Sequence, residues 1–137
     1  MNITKEQARK VLEVVDAGLV KGMGEPVPGK MCVEAAVCFA LGLPHSDNPT
    51  CVGQAVRRFK IRLNDAGWSS NTARTKGLRK LAVAQLGSDT INQQRFAKVL
   101  AKLTIQRLLP VLFRELAEQP RMKKWRESFL QAADRCE

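Results

Sequence analysis

The residues best suited to chemistry lie close together in residues 31–52, MCVEAAVCFALGLPHSDNPTCV, which hold three of the four cysteines and the only histidine. Cys32 lies two residues after the segment Pro-Gly-Lys, in the first turn of a predicted helix, where the helix dipole would lower the pKa of a thiol. His45 is the only imidazole base, and Asp47 could orient it. Cys32, His45 and Asp47 are therefore candidate catalytic residues, with Glu34 as a fourth.

The same residues also have a purely structural interpretation, which the sequence favours. Free cysteines commonly behave as small buried apolar side chains, which would explain Cys32, Cys38 and Cys51. His45 and the neighbouring aspartate would then satisfy backbone groups at helix ends. Glu34 in a first helical turn is favourable with the dipole. If it is buried, it needs a partner such as His45 or an arginine.

The cysteine spacing does not predict a metal site. Cys32 and Cys38 are six residues apart, about 240° around a helix, so they do not share a face. Structural zinc sites usually begin with a closely spaced cysteine pair, and this sequence has none. Convergence of Cys32, His45, Asp47 and Cys51 on one ion would not follow a known ligand spacing. We expect neither a metal nor another cofactor.

Positive charge is concentrated in residues 57–80, which carry eight basic residues and one acid within a chain of net charge +10. Such a field attracts polyanions. We therefore expect these residues to bind nucleic acid or another polyanion, including an acidic or nucleoprotein host partner. The alternative is a solvated helical face that keeps the protein soluble. The eight residues are Arg57, Arg58, Lys60, Arg62, Arg74, Lys76, Arg79 and Lys80.

Two predicted helices in this basic region could form a helix–turn–helix module. Its second helix would present Ser70, Asn71, Thr72 and Arg74 to bases, while Arg57, Arg58, Arg62, Lys76 and Lys80 would neutralise phosphates. The connection NDAGWSS is longer than the usual turn of three or four residues. Binding without sequence specificity is therefore favoured over base readout.

Apolar spacing predicts helices along nearly the whole chain. Thr4 and Gln7 form a capping-box pattern, a second helix is expected over Met31–Leu41, and Asn48 with Pro49 is expected to begin the third. Ser69 or Ser70 should cap a fourth helix, and Pro110 should kink or break a later one. The predicted fold is all-α, a compact bundle of six or seven helices with short loops in a single domain, residues 1–137.

The last helix places Met122, Trp125, Phe129 and Ala133 on one stripe. This Trp125–Phe129 stripe could pack internally or form the seam of a homodimer. No apolar run approaches the roughly 18 residues that a membrane span needs. The N-terminal MNITKEQARK lacks the apolar core of a secretory signal. We expect a cytoplasmic protein with reduced cysteines and no membrane partner.

The segments GEPVPGKMCVEAAVCFALGLPHSDNPTCV and FKIRLNDAGWSSNTARTKGLRKLAVAQLG resemble a set of small uncharacterised proteins of bacteria and their phages. The similarity covers roughly residues 22–110. Its most typical parts are Cys32, Glu34 and Ala35, then PHSD with Pro49 and Cys51, and finally Asn64 with Asp65. The resemblance implies a bacterial cytoplasm and a phage or mobile element, but no activity.

Three classes of function are consistent with these patterns. The first is a non-enzymatic binder of nucleic acid or another polyanion. The second, suggested by the phage context, is an anti-defence inhibitor that binds a host complex. The third is a Cys32-dependent enzyme. The sequence favours the first class.

Overall fold

The computed structural model describes residues 2–137, and within them the protein is all-α, as predicted. The chain from Gln93 to Ala117 is helical throughout, because a π-helical segment, Thr104–Leu108, joins two α-helices. Counting this stretch as one helix gives six α-helices in the described residues, and counting its α-helical parts separately gives seven. The helices are α1 (Lys5–Asp16), α2 (Val33–Ala40), α3 (Gln54–Asn64), α4 (Asn71–Ala84), α5 (Gln93–Leu103), α6 (Leu109–Ala117) and α7 (Arg126–Cys136).

The helices group into two units, residues 1–93 and residues 94–137. In the first, α2 is the central element, and α1, α3 and α4 all pack against it. Every side chain from Met31 to Cys38 is buried, which leaves α2 without a solvated face along that length. The core of this unit therefore forms around α2. The single domain expected from the chain length stays a prediction.

The start of α2 lies two residues after the predicted one. Met31 forms isolated β-bridges with Leu19 and Gly24, so its backbone is extended. Cys32 is the N-cap, with φ −71° and ψ 168°, and its Sγ accepts a hydrogen bond from the Ala35 N–H at 3.4 Å. The thiol thus caps the helix. This role explains a cysteine at this position without any chemistry.

The prediction that Asn48 and Pro49 begin the third helix is wrong. Helix α3 begins at Gln54, with Gly53 as its N-cap. The backbone N–H of Gly53 donates to Ser88 Oγ at 3.0 Å, so the loop after α4 holds this segment outside the helix. Asn48 instead accepts a hydrogen bond from the Gln54 side chain. A long-range contact therefore overrides the local N-cap and proline signal.

Two other predicted helix starts are confirmed. Thr4 and Gln7 form a complete capping box at α1, in which the Gln7 N–H donates to Thr4 Oγ1 at 3.1 Å and the Thr4 N–H donates to Gln7 Oε1 at 3.0 Å. Ser70 caps α4 by accepting from the Ala73 N–H at 3.0 Å. Local side-chain chemistry is sufficient to place both starts.

The second unit is built on the contact between α6 and α7. Phe113 and Phe129 stack there with ring centroids 6.2 Å apart. Half of the predicted Trp125–Phe129 stripe therefore packs internally, whereas Trp125 is exposed. Pro110 was expected to kink or break this helix, and the break does not occur, because the chain is helical on both sides of the proline. The helix passes instead through π-helical geometry just before the proline, where the missing proline N–H would leave an α-helical bond unmade.

Candidate functional site

A buried ion pair lies in the core of the first unit. Glu34 on α2 is fully buried, and Lys60 on α3 is 2% exposed. Their closest charged atoms, Glu34 Oε1 and Lys60 Nζ, are 3.9 Å apart. The turns of α2 and α3 that carry them face each other because Val33, Val37 and Val56 are buried in the same core. The sequence had suggested a histidine or an arginine as the partner of Glu34, and the structure assigns this place to Lys60.

Gln85, the C-cap residue of α4, completes this buried cluster. Within the described part of the chain, both carboxylate oxygens of Glu34, the ammonium of Lys60 and both amide atoms of Gln85 lack a well-formed hydrogen bond. Buried polar groups in proteins are nearly always hydrogen-bonded, because an unsatisfied one costs about 1–3 kcal/mol. The Glu34–Lys60–Gln85 cluster therefore places two ionisable groups and an amide in this core with fewer direct protein hydrogen bonds than they can form.

The cluster titrates near neutral pH. Burial raises the pKa of Glu34 from 4.5 to about 7, although the positive charge of Lys60 and the nearby Gln85 amide oppose the shift. Burial also lowers the pKa of Lys60 from 10.5 to about 8, against the attraction of Glu34. In both residues desolvation outweighs mutual attraction. A carboxyl group and an amine thus exchange protons in the range where general acids and bases work.

The space beside the cluster is too small for a substrate. A cavity of about 20 Å³ with a mixed polar and apolar lining is bordered by Glu34, Cys32, Asp47 and Asn64, among others. That volume holds about one water molecule. The cluster therefore combines perturbed titration with no room in this cavity for a reacting molecule, which favours a structural role over a catalytic one.

Cys32 does not have the environment expected of a nucleophile. Burial raises the pKa of its thiol, even though the N–H groups of Ala35 and Glu34 favour the thiolate. The expectation that the helix dipole would lower this pKa is wrong, because the side chain is enclosed by the core. Burial likewise raises the pKa of Cys51, and it raises the pKa of Cys38 to about 11.

His45 and Asp47 have other partners. Nε2 of His45 lies 3.0 Å from the Gly24 carbonyl oxygen, and its buried Nδ1 has no hydrogen-bond partner in the described residues. Asp47 pairs with Arg57, with Oδ1 accepting from Nη2 at 2.6 Å. Within residues 2–137, no hydrogen bond joins His45 to Cys32 or Asp47. The four candidate catalytic residues are thus near α2 without forming a catalytic triad.

The thiol environments predict a clear order of alkylation. Cys136 is half-buried, whereas Cys32, Cys38 and Cys51 are buried. We expect iodoacetamide at pH 7.5 to modify Cys136 first and to reach the other three only in denaturant. Peptide mass spectrometry over a time course measures each rate. Fast modification of Cys32 in the folded protein would contradict this placement and would favour the Cys32-dependent enzyme.

Two of the eight basic residues in the predicted polyanion surface are inside the protein. Lys60 pairs with Glu34, and Arg74 is 6% exposed. Arg74 Nε donates to the Asn64 carbonyl at 2.8 Å, and Nη1 donates to Asn71 Oδ1. Charge alone predicts both at the surface. That prediction is wrong for Lys60 and Arg74, because a cation enclosed by protein cannot meet a phosphate.

Two further basic residues are held by carboxylates. Arg57 pairs with Asp47 at 2.6 Å and is 20% exposed. Arg79 forms a two-pronged contact with Asp16 at 2.6 and 2.8 Å. The neighbouring carboxylates partly neutralise these cations, so they contribute less to a positive surface than their sequence position suggests.

The remaining four cations are exposed and occur in two pairs spaced four residues apart. Arg58 and Arg62 border a shallow, open depression of about 400 Å³ together with Phe59 and Ile61 of the same turn of α3, and we call this surface the α3 groove. Lys76 and Lys80 form the second pair, on α4. Residues four apart on a helix are neighbours. Each helix therefore presents a local pair of positive charges to solvent.

The four residues that a helix–turn–helix would use to read bases are mostly engaged in contacts within the protein. Ser70 Oγ is used by the cap of α4, and Asn71 and Arg74 are bonded to each other. Only Thr72 of the four is exposed without such a contact in the described residues. Arg74 in particular would have to leave the core to reach a base, so direct readout by this set is wrong for this structure.

Comparison of the chain with family models, curated proteins and solved structures gives no match. Within residues 2–137, no helix has the length and apolar character needed to cross a membrane. The same residues contain no group of three or more His, Cys, Asp or Glu side chains arranged to hold a metal ion. The case for a function therefore rests on the geometry of the exposed cations and of the buried cluster.

Proposed function

We propose that the protein is a non-enzymatic binder of nucleic acid or another polyanion, which it contacts through the exposed pairs Arg58–Arg62 and Lys76–Lys80. The observation that carries the proposal is the α3 groove. Among the described residues, it is lined by two arginines and two apolar residues and by no acidic side chain. Guanidinium groups donate hydrogen bonds to phosphate oxygens in pairs, and Phe59 adds an apolar wall.

The contacts favour binding without sequence specificity. Neutralising phosphates releases counterions from the nucleic acid, which gives affinity and a strong dependence on salt but no base readout. The residues suited to reading bases are engaged in the cap and the core, as described for Ser70 and Arg74. The exposed cations, in contrast, need only to reach the phosphate backbone of the nucleic acid. This class of ligand fits them best.

The test is a comparison of two double variants that each lose two positive charges from the first unit. Arg58→Gln/Arg62→Gln removes the groove cations, whereas Lys5→Gln/Lys10→Gln removes exposed charges from α1. Fluorescence anisotropy with labelled duplex DNA and RNA is measured between 50 and 200 mM salt, values chosen to span roughly the range of steep salt dependence. We expect the groove variant to bind at least about tenfold more weakly and to lose about two units of log–log salt slope.

The α1 variant is expected to keep most of the affinity and most of the slope. Equal losses in both variants would show that total charge matters and that the groove does not. Absence of binding by the wild-type protein at low salt, with DNA and RNA alike, would overturn the proposal. The host-complex inhibitor remains an expectation from the sequence resemblance alone. The raised pKa of Cys32 weakens the enzymatic alternative.

A further inference from the structure

The helix that runs through α5, the π-helical segment and α6 carries a row of exposed aliphatic side chains. They lie between 46% and 60% exposed, although residues of these types are usually buried. Helix α5 and the π-helical segment contain no buried residue. The exposed face is therefore an extended feature of this unit. Its members are Val99, Leu103, Leu108, Val111 and Leu112.

The π-helical segment keeps these side chains in one row. Val99 and Leu103 are four apart in α5, and Leu108 and Leu112 are four apart across the start of α6, so each pair shares a helix face. Leu103 and Leu108 are five apart, and a π-helix bonds residue i to residue i+5. One π-helical turn between them preserves the alignment that an α-helix would lose. We call this row the aliphatic stripe.

The stripe has a symmetric order of positions. Together with the half-buried Leu100, its residues pair about a midpoint between Ile105 and Gln106. The pairs are Val99 with Leu112, Leu100 with Val111, and Leu103 with Leu108. A two-fold interface needs this property, because residue i contacts residue j and residue j contacts residue i. Two copies of the helix in antiparallel orientation would match each apolar side chain with another.

Charge supports the same orientation. No acidic residue occurs between positions 90 and 114, and the helix begins with Arg95 and Lys98. Its other end carries Glu115 and Glu118, while Arg114 beside them is paired with Asp134 and Glu137. Glu118 also pairs with Arg126 at 3.2 Å, so Glu115 is the main acidic group that this end offers to a second copy. Antiparallel pairing brings the basic end of one copy to the acidic end of the other, whereas parallel pairing would bring like charges together. Complementary charges of this kind set the partner and orientation of paired helices.

We propose that the aliphatic stripe is the interface of a homodimer in which two copies pair antiparallel about an axis between Ile105 and Gln106. A second copy of this chain is the occupant that supplies both the matching apolar pattern and the opposite charge at each end. The seam is thus on α5 and α6. The Trp125–Phe129 stripe considered from the sequence is a poorer seam because Phe129 packs against Phe113.

The first test compares two substitutions at similarly exposed positions of the same helix. Leu108→Glu places a charge in the stripe, and Ile105→Glu places one off it, since Ile105 is two residues from Leu103 and so lies on about the opposite side. Light scattering coupled to size exclusion is expected to give a dimer mass for the wild type and for Ile105→Glu. Leu108→Glu is expected to give the monomer mass with an unchanged circular dichroism spectrum.

A second test examines the orientation. Variants with one added cysteine, Leu103→Cys or Leu108→Cys, are prepared in a Cys136→Ser background, where the remaining native cysteines are buried. The antiparallel register places position 103 of one copy opposite position 108 of the other. An oxidised mixture of the two variants is therefore expected to form disulfide-linked dimers in higher yield than either variant alone. Higher yield from the variants alone would overturn the antiparallel register.

Other outcomes would overturn the interface itself. A wild-type protein that stays monomeric at tens of micromolar would do so, as would equal dissociation of both glutamate variants. A monomer that binds vesicles of phosphatidylcholine and phosphatidylserine through the stripe would assign it to a lipid surface. A monomer that binds an acidic amphipathic peptide would assign it to a different protein partner. Both of these results would contradict the homodimer.

Discussion

Replacing Lys60 with methionine is expected to lower the free energy of unfolding by about 3–5 kcal/mol at pH 8. The substitution keeps the length of the side chain but leaves the Glu34 carboxylate buried without its counter-charge. The amide of Gln85 lies close to Glu34, but an uncharged amide does not replace the lost ammonium. Urea denaturation followed by circular dichroism measures the change. The loss is expected to shrink at pH 5, because Glu34, whose pKa is about 7 even beside Lys60, is then neutral in both proteins and needs no counter-charge.

The double variant Glu34→Leu/Lys60→Met is the essential comparison. Removing both charges replaces a poorly satisfied ion pair with apolar contacts, which is commonly neutral or stabilising by about 1–4 kcal/mol. We therefore expect the double variant to be at least as stable as the wild type. Lys76→Met, at an exposed position on α4, controls for the loss of a lysine and should change stability by less than about 0.5 kcal/mol. Equal stability of Lys60→Met and Lys76→Met would contradict the buried pair.

The second large effect is a minimum in stability near neutral pH. The pKa of Glu34 is about 7 in the folded protein and 4.5 ordinarily, so between these values the folded state binds more protons than the unfolded state. Stability then falls as pH rises through this window. The pKa of Lys60 is about 8 in the folded protein and 10.5 ordinarily, so stability rises again with pH above about 8. Both groups are charged and buried between these windows, where the desolvation cost is greatest.

The size of each change follows from the pKa values. Each group contributes on the order of 3 kcal/mol across its window. The measurement is the difference in unfolding free energy between the wild type and the double variant from pH 4.5 to pH 10. Because both proteins contain the same other titratable groups, the contributions of those groups to the unfolding free energy cancel in this difference. We expect a minimum between about pH 7 and pH 8, and a flat difference curve would contradict the desolvated pair.

The sequence predicts the helices well because apolar periodicity and caps act locally. Thr4, Gln7 and Ser70 place two helix starts through hydrogen bonds within one turn. The failure at Asn48 and Pro49 has a different origin. Their local signal competes with the hydrogen bond between Gly53 and Ser88, which are 35 residues apart. Nothing in a short sequence window contains that contact.

Lys60 and Arg74 were predicted at the surface because they are charged, and both are buried. Lys60 lies between buried Val56 and buried Asn64 at spacings of four residues, and Arg74 lies four residues before buried Leu78. Their positions share the buried face of each helix, whereas charge argued for the surface. The spacing of Leu78 and Ala82 could have identified Arg74 as inward-facing, whereas Lys60 has one apolar neighbour at this spacing, Val56, and a polar one, Asn64. Their partners, which come from other helices, could not have been identified, because they depend on how α2, α3 and α4 pack.

The group of Cys32, Glu34 and His45 looked like one candidate site from the sequence, and the structure separates its members. Cys32 caps α2, and His45 bonds the Gly24 carbonyl. Of the three, Glu34 is the residue with a strongly raised carboxyl pKa, and it is buried in contact with Lys60 and Gln85. The sequence therefore located the unusual helix but not the unusual contact. The sequence could not identify Gln85 as a neighbour of Glu34, because Gln85 is uncharged and lies about fifty positions away along the chain.

The enclosure of α2 has a consequence for how the first unit can come apart. Eight residues are too few for a helix to persist alone in water, since isolated helices shorter than about 12–15 residues are marginal. Its sequence, VEAAVCFA, is held helical by the elements around it. Partial loosening of α1, α3 or α4 would expose an apolar segment with no helicity of its own. The helices of this unit should therefore be lost together in one cooperative transition, with no intermediate that keeps α2 intact.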